Sequence, residues 1–172
     1  LYSGAGVYVD GGGSFTMYGG KVAENIAMNG AGVYVNKDGS AAMYGGKITG
    51  NKVGEGYGAG VYVGGGTFDM YGGSISGNNQ LGWNYNGDGG GVYINSGSFN
   101  LHDGTITGNN GYWGGGVNLY NGAFNMEGGK ISNNTAGRNG TGGGVYVYNG
   151  TFTMTGGEIS GNRSNGSGAG VI

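Results

Sequence analysis

No cysteine and no proline occur in this 172-residue chain, and it has a single histidine. Without cysteine there can be no disulfide and no thiolate metal site, although the compartment is not fixed by that alone. Charge is also scarce: seven Lys+Arg stand against nine Asp+Glu, 9% of the chain, for a formal net charge of −2. A protein that grips nucleic acid needs a basic stripe facing the phosphates, and none is present, so nucleic acid is not expected as a partner. No apolar run reaches the ~20 residues of a membrane-spanning helix, so membrane insertion of this segment is not expected either. No signal peptide is visible. The chain starts Leu1-Tyr2-Ser3 and stops Gly170-Val171-Ile172, both in mid-pattern, which suggests one domain over residues 1–172 taken from a longer protein.

What the sequence has in excess is glycine, 50 residues of it. Glycine at that level without a period would point to disorder, because each glycine gives up the most backbone freedom on folding. Here a period exists. The tetrad Gly-[Ala/Gly]-Gly-Val begins at Gly4, Gly30, Gly58, Gly89, Gly114, Gly142 and Gly168, at spacings of 26, 28, 31, 25, 28 and 26. From the tetrad valine to a Met or Leu (Met17, Met43, Met70, Leu101, Met126, Met154) is nine or ten residues. Five residues further comes Val22, Ile48, Ile75, Ile106, Ile131 or Ile159, and three after that always an asparagine: Asn25, Asn51, Asn78, Asn109, Asn134, Asn162. Nearly all variation in length lies between that asparagine and the next tetrad. A rigid coil with one loop of free length explains the pattern.

Each unit carries three short runs of alternating apolar and polar residues, such as Val7-Tyr8-Val9, Phe15-Thr16-Met17 and Lys21-Val22-Ala23. Alternation of this kind marks half-buried strands, and the flanking Gly and Asn residues accept the backbone of tight corners. A unit of about 27 residues cannot close a core by itself, whereas stacked units can. The expected fold is therefore all-β: a parallel β-helix, or solenoid, of about six coils with three short strands per coil. At ~4.8 Å per coil it would form a rod roughly 29 Å long. Identical residues then stack on themselves. The six asparagines are expected to form a structural amide ladder at an inner corner.

The tetrads Gly4-Ala5-Gly6-Val7 and Gly89-Gly90-Gly91-Val92, paired with a motif such as Ile75-Ser76-Gly77-Asn78, resemble the repeats of polymorphic outer-membrane proteins and related β-helix adhesins. More broadly the whole chain resembles right-handed parallel β-helix repeat proteins of bacterial surfaces. That resemblance implies a right-handed coil and an extracellular or cell-surface location, with adhesive or passenger-domain roles.

Polysaccharide-cleaving enzymes share this architecture and need several carboxylates gathered on one face. The residue before the Met column is Thr16, Ala42, Asp69, Asn100, Asn125 or Thr153, so one acid stands where a catalytic cluster would need several. His102 lies beside Asp103 and one coil from Asp69, but it fills the slot held elsewhere by Tyr18, Tyr44 and Tyr71, which reads as substitution in an outward column. No catalytic residue, metal site or cofactor is expected. Gly87-Asp88-Gly89-Gly90-Gly91 lacks the aspartate spacing of calcium-binding nonapeptide repeats.

Two outward features stand apart. One is a column next to the tetrad valine: Tyr8, Tyr34, Tyr62, Tyr93, Asn118 and Tyr146, expected to stack ring on ring. The other is the variable loop, which carries Tyr57, Trp83, Tyr85, Tyr112 and Trp113 along one edge. Loops on a rigid scaffold carry function, and these five are the candidate ligand-binding residues, suited to a glycan or a host or cell-surface protein; the alternative is that they fold over the scaffold as a satellite cluster. The expected function is a non-enzymatic adhesin or stalk. Two other readings are a self-assembling filament or surface-layer protein, joined through open ends or tyrosine faces, and a polysaccharide lyase or hydrolase.

Overall fold

The structure is a computed structural model describing residues 3–81, 87–137 and 139–172. Every strand pairs in parallel with its counterpart one coil away, and the pairing follows the repeat, with register irregularities only around Ser96 where Val92–Leu101 meets Val61–Met70. Val33 stands between Val7 and Val61, and Ile75 between Ile48 and Ile106. Three sheets result. The first holds the tetrad valine and Met runs, the second holds the runs Lys21–Ala23 through Glu158–Ser160, and the third holds two-residue runs from Ile26–Ala27 to Arg163–Ser164.

The partition into strands differs from three short runs per coil. In coils one and two the first sheet contains two separate strands, Val7–Val9 with Ser14–Met17 and Val33–Val35 with Ser40–Met43. In coils three to six these fuse into single ten-residue strands, Val61–Met70, Val92–Leu101, Val117–Met126 and Val145–Met154. The cause is one residue. Where valine and methionine are ten apart, the extra residue makes a turn, with Gly12 (φ 73°) and Asp38 (φ 61°) in left-handed conformation. Where they are nine apart, the strand bends without breaking. The short third-sheet run after each asparagine is an element that alternation could not reveal, because two residues show no period.

The core is a set of columns. In the inner coils the column valines, methionines and isoleucines and the phenylalanines Phe68, Phe99 and Phe124 are fully buried, whereas in the end coils Val7, Val22, Val147, Phe152 and Ile159 are partly buried and Met154 is exposed. Phe68 and Phe99 stack at 5.1 Å, Phe99 meets Phe124 edge-on at 5.9 Å, and Phe124 stacks on Phe152 at 4.9 Å. Aromatic pairs at these separations add to the gain from burial alone. A smaller apolar cluster, Ala27, Ala31, Val53 and Ala59, seals the corner beneath the variable loop in the first coils.

The asparagine ladder runs through the six coils. Each Nδ2 from Asn25 to Asn134 donates to the Oδ1 of the asparagine one coil on, at 2.9–3.0 Å. The second Nδ2 hydrogen of Asn51, Asn78, Asn109, Asn134 and Asn162 goes to a backbone carbonyl of the coil before, at Val22, Ile48, Ile75, Ile106 and Ile131. The third tetrad residue must be glycine to admit this ladder. A Cβ on Gly91 would stand 2.5 Å from the Gly116 carbonyl oxygen and 2.9 Å from the Asn109 Nδ2. Gly6, Gly32, Gly60, Gly116 and Gly144 are confined in the same way. The tetrad and the distant asparagine are thus one device.

Candidate functional site

Of the loop aromatics, Trp83 and Tyr85 lie outside the described residues. The other three turn back onto the scaffold. Tyr57 stacks on Tyr93 at 4.7 Å, while Trp113 stacks on Tyr146 at 5.9 Å and meets Tyr112 tilted at 5.1 Å. The tyrosine column forms as expected, with Tyr8–Tyr34 at 5.0 Å, Tyr34–Tyr62 at 4.6 Å and Tyr62–Tyr93 at 5.3 Å. It is not outward throughout: Tyr62 and Tyr93 are buried. Burial pushes both phenols well above the usual tyrosine range.

Coil five breaks the column. Asn118 takes the tyrosine slot, and its shorter side chain leaves room for Trp113 to reach across from the loop. The Asn118 Nδ2 donates to the Trp113 carbonyl at 3.3 Å. Beside this break lies a recess of about 270 Å³ lined by Asp88, Trp113, Asn118, Tyr120, Tyr146 and Tyr148. Tyr120 and Tyr148 stack face to face at 5.0 Å, so the recess has two stacked aromatic pairs in its walls.

Two polar side chains in that lining are buried: Asp88 is 6% exposed and Asn118 1%. The Oδ1 atoms of both lack a hydrogen-bond partner among the described residues. Burial raises the Asp88 carboxyl to about 7, against the opposing pull of a hydrogen bond from the Trp113 backbone amide. Four buried side-chain atoms lack a partner among the described residues, the others being Asn79 Oδ1 and His102 Nε2, and that two of the four are acceptors in one recess is a signal. Asp88, Tyr120 and Tyr148 were not among the residues singled out from sequence. The clue was in view, since asparagine interrupts the tyrosine column five residues after a tryptophan.

On the opposite stretch of the first sheet, Tyr18, Tyr44 and Tyr71 stack at 5.2 and 4.8 Å, and His102 continues the pile on Tyr71 at 4.4 Å. The His102 Nδ1 is 2.7 Å from the Glu127 carboxylate, while its Nε2 is 3.5 Å from Asp69 Oδ1, too long for a good hydrogen bond. The neighbour that completes this line is Glu127, not Asp103, whose carboxylate turns to the backbone amide of Gly104 at 2.7 Å. Asp69 is held by Asn100, and Asn100 by Asn125, at 2.7 and 2.9 Å. These groups lie on a sheet face, not in a cleft. A larger depression of about 610 Å³, at Asn133, Thr135, Gly161, Asn162 and Arg163, is an open groove in which the Asn162 amide already serves the ladder. Among the described residues no three His, Cys, Asp or Glu side chains gather as metal ligands.

Parallel strands in register, core columns that repeat coil by coil and the amide ladder define the class as a β-solenoid. The family model described as the right-handed β-helix region matches residues 5–171, and the chain belongs to that family. No curated protein and no solved structure matches the chain.

Proposed function

We propose that this chain is a non-enzymatic scaffold displayed outside the cell, an adhesin or stalk segment that binds a glycan or a protein through its aromatic edge. The observation that carries this reading is the recess between coils three and six, where Trp113, Tyr120, Tyr146 and Tyr148 surround two buried acceptors that have no donor among the described residues. Mostly apolar recesses with a few fixed polar groups are the common form of binding sites. The resemblance of the repeats to β-helix adhesins supports surface display. A glycan array, run beside assays for polysaccharide cleavage, tests the proposal. Saturable binding that Trp113→Ala weakens, without turnover, is the expected result; turnover of any polysaccharide would overturn the non-enzymatic reading.

A second reading, self-assembly into filaments or layers, is favoured by the exposed pile Tyr18, Tyr44 and Tyr71, at 78%, 49% and 42% exposure. Sedimentation at rising concentration separates the two, because a strict monomer rules assembly out. Cleavage, if it occurred, would direct attention to Asp69, His102 and Glu127, and His102→Gln would then abolish it.

A further inference from the structure

We infer that the recess at Asp88 recognises a primary ammonium group, carried on one compact unit such as an amino-sugar ring or a short alkyl chain. The inference rests on the binding-scaffold reading and names the chemistry of its site.

Four features of the recess point to that chemistry. First, both unspent polar atoms, Asp88 Oδ1 and Asn118 Oδ1, are acceptors, so the missing partner must bring donors. The Asn118 amide cannot simply be turned round, because its Nδ2 is engaged by the Trp113 carbonyl. Second, Asp88 has no cationic partner among the described residues. The groups that feel its charge are the phenols of Tyr93 and Tyr146, both pushed upward by it and, more strongly, by burial. A buried carboxylate without a counter-charge is costly, and a cationic ligand removes that cost.

Third, the walls are aromatic. Trp113, Tyr120, Tyr146 and Tyr148 line the space. Ring faces carry negative potential and attract organic cations, tryptophan most strongly. A neutral hydroxyl could occupy the acceptors but would leave the carboxylate uncompensated and the ring potential unused. Fourth, the space is about 270 Å³, just under the range of drug-sized ligand pockets, so it fits one ring or one side-chain-sized group. An ammonium has three N–H donors, enough for both oxygens with one left for solvent or a phenol.

The experiment is calorimetric titration of the folded chain with four small probes: methyl glucosaminide, its N-acetyl derivative, methyl glucoside and n-butylammonium. The two amines are expected to bind, with the N-acetyl and neutral sugars at least about tenfold weaker, the size of a lost hydrogen bond to a charged group. If only the glucosaminide binds, the source is an amino sugar; if butylammonium binds as well, any alkylammonium suffices. Asp88→Asn should weaken the amines about tenfold or more. Tyr148→Leu, at a position 62% exposed and therefore mild toward folding, should weaken them a few-fold. Equal affinity for N-acetyl and free amines, amine affinity unaffected by Asp88→Asn, or no amine binding at all would each overturn the inference. Glycan-array binding that persists in any of these cases would leave the scaffold reading standing, and loss of array binding as well would remove both.

Discussion

Two sets of buried polar side chains in this rod have opposite fates. In the ladder, Asn51, Asn78, Asn109 and Asn134 are at most 1% exposed, and each makes its full complement of side-chain hydrogen bonds. In the recess, Asp88 and Asn118 are almost as deeply covered, yet each has an oxygen with no donor among the described residues. A satisfied buried network makes neighbouring coils specific for one another, while an unsatisfied one carries a standing cost. Stability therefore resides in the ladder, and the recess is where a partner could lower the free energy of the molecule.

The largest effect is expected at the ladder. Asn109→Ala removes four side-chain hydrogen bonds and strands the Asn78 amide donors inside the rod. We expect a loss of about 3–5 kcal/mol in urea or guanidinium unfolding. The half-buried Asn25, with one side-chain bond in the ladder, should cost only about 1 kcal/mol on the same change. Equal losses at the two positions would show that the ladder does not act through buried satisfaction.

Gly91→Ala is expected to come next, at roughly 2–4 kcal/mol, because the added methyl presses on the Gly116 carbonyl and the Asn109 amide together. Thermal unfolding checks this, with Gly19→Ala as reference, since nothing lies within 4 Å of a Cβ there.

In the recess the signature is pH. Native Asp88 keeps its proton to about 7, against an ordinary value of 3.8. Between those values the folded state therefore binds more protons than the unfolded one. Stability contributed by this group falls as pH rises through that window and is level above it. At about 1.4 kcal/mol for each pH unit of displacement, the fall is roughly 4 kcal/mol over the window from 3.8 to about 7. Asp88→Asn should flatten the profile between pH 4 and 7 and leave the variant the more stable protein at pH 8; an unchanged slope would mean that Asp88 is not the group responsible.

The smallest effect is expected for Asn118→Leu. It replaces an amide whose oxygen has no donor among the described residues with an apolar group, and the Trp113 carbonyl keeps its hydrogen bond from Gly89. A change within about 1 kcal/mol, in either direction, is expected by chemical denaturation. A large loss would show that the amide is satisfied in solution after all.

How much of this was legible in the sequence follows from the nature of the period. The repeat specifies position within a coil, so strand pairing, the core columns, the asparagine ladder and the tyrosine pile could all be read from aligned residues. The fused strands were visible only as spacings of nine rather than ten, whose meaning depends on whether the added residue turns or bends the chain. Contacts made by the loops have no such register. That Trp113 folds onto Tyr146, that Asp88 is trapped behind it, and that Glu127 rather than Asp103 meets His102 depend on loop paths and side-chain reach, which alignment of coils does not contain.

The ladder also has a direction. Each amide from Asn25 to Asn134 gives its proton toward the higher-numbered coil, and each from Asn51 to Asn162 gives its other proton to a carbonyl behind it. Recognition between neighbouring coils is therefore like that between links cast with a front and a back. A coil inserted whole, or removed whole, keeps the grammar of the array, whereas one stacked in the reverse sense would set donor against donor.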